Sequence, residues 1–512
     1  MKAVSTFRLA LTIVLAGFLA GFFAASGSKA FAQEAAKDSG KPQQSRSERR
    51  EPGPGILRLL PPDSVTSHVV DTPQGKLEYT ATAGTLAFYD QSGSQSAAVF
   101  YTAYVVKGAN RPLTFAFNGG PGAASAFLHL GLIGPRVLEL GPQGHDAARA
   151  ELRDNPHTWL DFTDLVTIDP IGTGWSRAAK ADEAKHFWNV RADADAMAKA
   201  IALYVAHNNR AGSPKYLLGE SYGGFRAAKV ARALQRDQGI ATNGIVMLSP
   251  LLEGWLTFGD DNSALRAALQ LPSLAAAELE RTHAFSQQAL QAAEKFAMTD
   301  YLTTLAGPPP QGAAGKTFYE RVAKISGMPL DAVTQARGFI ADSYVKGLRA
   351  SDGKIVSRYD AGFAVDDPFP DRRGERGSDP ILDGVSRAYG GGFADYARNE
   401  LGFKTEMTYA LLANEVTGGW DWRGGRLRAS AEDDIRTLLA FSPSFRLLIA
   451  HGYADMVTPY GMTRYVLDHL PPIGPPGRVR LTLYRGGHMF YIDPQARKDF
   501  STDAAAFYRA AE

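Results

Sequence analysis

The sequence predicts an α/β fold: a mostly parallel central sheet, helices on both faces, and an inserted, largely helical cap. Three observations carry this expectation. Short apolar runs rich in β-branched and aromatic residues alternate with helical periods between Leu113 and Pro250, the pattern of strands linked by helical crossovers. One run, Tyr216 to Gly219, ends in Gly219-Glu-Ser-Tyr-Gly223 and passes into the helical stretch Phe225 to Leu234. Strand character fades after Leu251 and returns at Phe445 to Ala450 and Val479 to Tyr484.

Taken in order, the chain opens with Lys2 and Arg8 ahead of the apolar run Leu9 to Ala25, followed by Ala30-Phe31-Ala32. Residues 1–32 read as a secretory signal peptide cut before Gln33. The alternative is an uncleaved membrane anchor, for which the run is short. The chain of 512 residues has no cysteine, so it has no disulfides despite the export signal, and a bacterial periplasm or the cell exterior fits. Residues 33–56 are polar and rich in Lys, Arg, Ser and Glu, a composition that buries too little to fold. The 55 basic and 53 acidic side chains leave a net charge of +2, which gives no reason to expect a nucleic-acid partner.

Residues 57–250 form the first part of the sheet domain. Leu77 to Thr82, Thr85 to Tyr89 and Ala98 to Val106 alternate as antiparallel strands. Leu113 to Phe117 is a buried strand running into Asn118-Gly-Gly-Pro-Gly122, and Leu165 to Asp169 is another. Asp193 to Val205 has helical spacing, and Ile245 to Pro250 continues the sheet. Residues 251–429 mix helical periods, such as Leu274 to Met298 and Thr317 to Ile325, with Gly- and Pro-rich loops. At about 180 residues this is too long for a loop and reads as a cap domain. Residues 430–512 complete the sheet and end in a helix from about Gln495 to Ala511.

The strand, Gly-x-Ser-x-Gly turn and helix at residues 216–234 are the nucleophile elbow of α/β-hydrolases. Side chains in place of the two glycines would collide at so sharp a corner. The following helix aims N–H groups at the place where negative charge develops in acyl transfer. A serine hydroxyl needs a base, and the base an orienter. In this fold they follow in the order Ser, Asp, His, each on a loop after a strand. Asp455 follows the strand ending at Ala450, and His488 follows the one ending at Tyr484. His451 competes for the role of base, but it directly ends its strand and lacks the glycine-flanked loop of Gly486-Gly487-His488. The tryptophans Trp188, Trp255, Trp420 and Trp422 could line a pocket, with core or cap packing the default, and none is assigned a role.

With these residues in place the chain resembles the serine carboxypeptidases, peptidase family S10. The resemblance rests on Asn118-Gly-Gly-Pro-Gly122, Asn155-x-x-x-Trp159, Leu165 to Ser176, Gly219-Glu-Ser-Tyr-Gly-Gly224, Gly452-Tyr-Ala-Asp455-x-x-x-Pro459 and Gly487-His-Met489. It implies Ser221 as nucleophile, His488 as general base and Asp455 as its orienter. It also implies an oxyanion hole from the N–H groups of Gly120 and Tyr222, and Asn118 and Glu220 as ligands of the substrate's terminal carboxylate. The implied partner is a peptide with a free C-terminus, with no metal or cofactor. A glutamate donates to a carboxylate only when protonated, so an acidic optimum follows. Three positions depart from the family. Ala123-Ala124-Ser125 replaces Cys-Ser-Ser, Leu132 stands where a second glutamate pairs with the first, and Tyr453 replaces an accessory aspartate. An esterase, acyltransferase or lyase on the same triad, or a peptide-binding protein without catalysis, are the alternatives, since fold does not fix substrate.

Overall fold

The computed structural model describes residues 53–510, apart from 109, 142–143, 342 and 373–376. The expected leader and all but the end of the expected linker lie outside the described residues. Of that linker, Gly55 and Ile56 belong to a 3₁₀ turn, Gly55–Leu59, anchored by the buried Leu57.

A ten-stranded sheet runs through the molecule. Its antiparallel part is β1 (Ser64–Thr72), β2 (Gly75–Tyr89) and β3 (Gln95–Val106). β4 (Leu113–Phe117) follows, then a separate hairpin of β5 (Arg136–Leu140) and β6 (Ala150–Asp154). Next come β7 (Asp164–Ile168), the two-residue β8 (Arg177–Ala178) beside β3, β9 (Lys215–Glu220) and β10 (Gly244–Leu248). β11 (Lys354–Val356) and β12 (Ala364–Asp366) make a small hairpin inside the insertion. β13 (Arg446–Gly452) and β14 (Val479–Tyr484) close the sheet. The order is β1-β2-β3-β7-β4-β9-β10-β13-β14, and every pair from β7 onward is parallel. This is the α/β-hydrolase arrangement expected from the sequence.

The apolar strands are explained by burial on both faces. Alternate residues serve different cores. Phe115, Leu217, Ile245, Met247, Leu447 and Ile449 pack with the helices Val190–His207 and Tyr222–Asp237. Ala116, Leu218, Val246, Leu248, Leu448 and Ala450 face the other way, toward the C-terminal helix Pro494–Arg509.

Two local readings are corrected. Residues 77–89 form one strand and not two, because Gly84 marks no turn. A Cβ there would stand 2.4 Å from the Asp63 carboxyl carbon, and Asp63 accepts the Thr85 N–H across that gap. The helical period from 274 to 298 belongs to two helices, Ala264–Arg281 and Gln287–Phe296. His283 turns the chain at φ 55°, and the Ser286 side chain caps the second helix at Ala289 N.

The stretch 251–429 divides its packing. Residues from Ala267 to Ala361 build a core of their own, joined by Ala454 and Met456 from either side of Asp455. Tyr389, Phe393 and Tyr396 pack on the sheet, and Val416 and Trp420 on its opposite face. Among the described residues, no helix is long and apolar enough to cross a membrane.

Candidate active site

The register aligns the carboxyl ends of five parallel strands. Phe117 pairs with Gly219, Leu248 with Glu220 and with Ala450, and Gly452 with Tyr484. Asn118, Ser221, Asp455 and His488 all lie on the chain just beyond these ends, where open α/β sheets hold their ligands.

Ser221 sits between β9 and the helix Tyr222–Asp237 at φ 60°, ψ −126°. Such a backbone is strained for a non-glycine residue and persists only where the surroundings hold it. Its N–H donates to Leu248 O at 2.9 Å, and its carbonyl accepts from Gly224 and Leu251. The flanking glycines have a visible cause. A Cβ on Gly219 would stand 2.0 Å from Gly223 O, and one on Gly223 2.6 Å from Phe117 O. The loop after β4 presses equally close, since a Cβ on Gly119 would lie 2.6 Å from both Glu220 O and Tyr222 N. Gly120 follows at φ 100° and is exposed. Among the described residues, the N–H groups of Gly120 and Tyr222 donate to no other protein group. Both stand at the elbow as free donors.

His488 Nδ1 hydrogen-bonds Asp455 Oδ2 at 2.9 Å. Both side chains are buried. Asp455 also accepts from Val457 N and Thr458 N on Oδ1, and from Thr458 Oγ1 on Oδ2. Burial works to raise this carboxyl, but His488 and His451 hold it well below the usual carboxylate range. Burial pulls His488 down, while Asp455 and then Glu220 push it up, and the net direction is up. The competitor His451 lies 3.9 Å from Asp455 and turns its Nε2 to Thr463 at 2.8 Å. The hydrogen-bonded pair is therefore Asp455 with His488.

Glu220 is 4% exposed. Its Oε2 accepts from Asn118 Nδ2 at 2.7 Å and from Tyr491 Oη at 2.7 Å. Burial pushes this carboxyl up to about 7 from an ordinary 4.5, against His488, Tyr491 and Asn118, which favour the anion. Leu132 is fully buried, and its carbonyl accepts from Asn155 Nδ2 at 2.8 Å. Tyr491, which sequence reasoning did not single out, provides the second partner for Glu220. Arg226 was also missed. Almost fully buried, it donates to the Asn118 carbonyl and, at 2.7 Å, to Asp193 Oδ2. It thereby ties the glycine loop to the helix Val190–His207. A buried aromatic three residues past a histidine, or an arginine one turn into a helix, carries no local signal of such partners.

The cap reaches the same place. Tyr359 O accepts the His488 N–H at 2.5 Å, and the Tyr359 ring stands edge-on to the imidazole with centroids 5.2 Å apart. Among the described residues, no cluster of three or more His, Asp or Glu side chains is placed to hold a metal ion.

The family model described as serine carboxypeptidase matches residues 74–296. Serine carboxypeptidase-like 41 of Arabidopsis thaliana is 29% identical over 150 residues, 28% of this chain and 30% of that protein. The retinoid-inducible serine carboxypeptidase of Mus musculus is 31% identical over 128 residues, 24% of this chain and 25% of that protein. The chain thus spans about a quarter to a third of the length of these curated relatives. Among solved structures, a soluble variant of the monoglyceride lipase from Saccharomyces cerevisiae is 11% identical at a TM-score of 0.37, covering 83% of this chain and 95% of that one. The family match runs from the first antiparallel strands through the elbow and into the insertion, and over residues 74–296 this chain is similar to the serine carboxypeptidases.

Proposed function

We propose that the protein is an exported serine-type carboxypeptidase, which removes C-terminal residues from peptides through an acyl-enzyme. Ser221 Oγ attacks the scissile carbonyl while His488 takes its proton, and Asp455 holds the imidazole and balances its charge. The N–H groups of Gly120 and Tyr222 receive the oxyanion. His488 then gives the proton to the leaving amine, and water releases the acyl group by the same path in reverse. Asn118 and a protonated Glu220 bind the terminal carboxylate of the substrate. Export rests on Lys2, Arg8, the run from Leu9 and Ala30-Phe-Ala32.

One observation carries the specificity: a buried carboxyl directly before the nucleophile, raised to about 7 and held by a buried amide. An esterase has no need of a neutral acid at that position. A site that must grip a carboxylate does, because an ionised Glu220 would repel it.

The test is the pH profile of hydrolysis of an N-blocked dipeptide as free acid, amide and ester, with Ser221→Ala as control. The free acid should be cleaved best below about pH 7, with no turnover by the control. Ester cleaved at neutral pH with both peptides untouched would overturn the reading in favour of other acyl chemistry.

A further inference from the structure

Both donors to Glu220 converge on a single oxygen. Asn118 Nδ2 and Tyr491 Oη each lie 2.7 Å from Oε2, and Oε1 takes no protein partner among the described residues. A carboxyl oxygen that accepts two hydrogen bonds is the carbonyl-like one, so a proton taken up by Glu220 sits on the other. The protonated acid then presents Oε1–H away from its two holders.

Tyr491 is placed to do this. It sits in a single 3₁₀ turn, Phe490–Ile492, just beyond His488, and is fully buried. Its ring presses on Gly131, where a Cβ would come within 2.5 Å of a ring carbon. Gly131 directly precedes Leu132 in the chain, the position at which the family resemblance implies a second carboxyl. The groups whose charge reaches Glu220 are His488 and Asp455 from the two loops, Tyr491, Tyr359 of the cap, and Tyr389 on the helix Ala388–Asn399.

We infer that Tyr491 is the positioning residue that fixes Glu220 as a one-proton donor toward the substrate's terminal carboxylate, in place of a second carboxyl. This rests on the carboxypeptidase reading. A tyrosine buried next to a carboxylate keeps its proton throughout the working range. The phenol of Tyr491 is in fact pushed up by burial and by Glu220. It donates at every relevant pH and adds no titration of its own. A pair of carboxyls would share protons and titrate in two coupled steps. Here recognition follows one carboxyl.

The experiment compares wild type with Tyr491→Phe on an N-blocked dipeptide free acid and its ester, from about pH 4 to about pH 9. Wild type should lose kcat/KM on the free acid along a limb of one-proton slope. In the variant, loss of the hydrogen bond that positions the neutral acid should lower the acid-to-ester ratio of kcat/KM up to about tenfold, mostly through KM. The limb should move up by about one pH unit, because a donor that favours the Glu220 anion has gone. A two-proton slope in wild type overturns the inference without need of the variant. So does a variant with an unmoved limb, or with equal losses on acid and ester, the mark of a merely structural role. Wild type that cleaves the ester but never the free acid refutes the carboxypeptidase reading, and this inference falls with it.

Discussion

Glu220→Gln separates two effects of one buried carboxyl. In the native protein Glu220 keeps its proton until about pH 7, whereas the ordinary value is 4.5. Between these values the folded chain binds more protons than the unfolded one, so stability falls as pH rises. The slope is about 1.4 kcal/mol per pH unit over about 2.5 units, or about 3 kcal/mol in all. Glutamine has no such titration, and its side-chain oxygen still accepts from Asn118 and Tyr491. Relative to wild type, the variant should therefore gain about 3 kcal/mol between about pH 4 and about pH 8. With an unfolding entropy of about 1 kcal/mol/K for about 450 described residues, that is a shift of about 3 °C in the difference between melting temperatures. Asp169 and Asp360, raised by burial to about 6 and about 7, titrate in both proteins and cancel in the difference. The assay is denaturant or thermal unfolding of both proteins across this range. Activity should follow suit. The glutamine N–H₂ donates at any pH, so cleavage of the free-acid peptide should persist above pH 7, where wild type fades. The acid limb should move down, because His488 loses the anion that helps to raise it. A stability difference that stays flat with pH would refute the placement of a neutral acid at residue 220.

Two further outcomes follow from the same geometry. Asp455→Asn should lower kcat about 10⁴-fold with little change in KM in steady-state kinetics, and a loss under about tenfold would remove Asp455 as the orienter of His488. Arg226→Met strands the buried Asp193 carboxylate and should cost about 3–5 kcal/mol in urea unfolding. Adding Asp193→Asn should restore part of that loss, and simple additivity would mean that the two side chains do not act as a pair.

What could be read along the chain depended on how local its cause was. The strands at 113–117 and 216–219 were legible because burial on both faces leaves a nearly unbroken apolar run. Gly219 was legible because its collision is local, with Gly223, whereas that of Gly223 is with Phe117 O from another strand. Asp455 and His488 were legible because each lies just past a strand end. The hairpin of β5 and β6 was not. It lies outside the main sheet, and its second strand, Ala150–Asp154, is mostly exposed. Gly84 misled because its reason is Asp63, a partner from another strand's approach. Tyr491 gave no sign because its hydroxyl serves a carboxyl 271 residues earlier in the chain. From the sequence a buried aromatic in that turn reads as core, and its ring is indeed core. Only the position of one oxygen makes it more.

The stretch between β10 and β13 was legible as an interruption of the sheet but not as part of the site's framework. The segment Ser357 to Ala361 runs between the two loops that follow β13 and β14. Arg358 O accepts from Met456 N at 3.0 Å, Ala361 N donates to Ala454 O at 3.0 Å, and Tyr359 O accepts from His488 N. Asp379 pins the start of this segment through Ser357 Oγ at 2.6 Å and Arg358 N at 2.8 Å. The fit leaves no room to spare, since a Cβ on Gly487 would lie 1.9 Å from Tyr359 O. That contact explains why a glycine precedes His488. Ala454 and Met456 are buried in the cap's own core, so Asp455 is held from both sides by residues that belong to the insertion's packing. The Asp455–His488 bond thus spans two loops whose separation is set by a third segment. A change in the cap that shifted this segment would move the imidazole and its carboxylate relative to each other, although neither belongs to the cap.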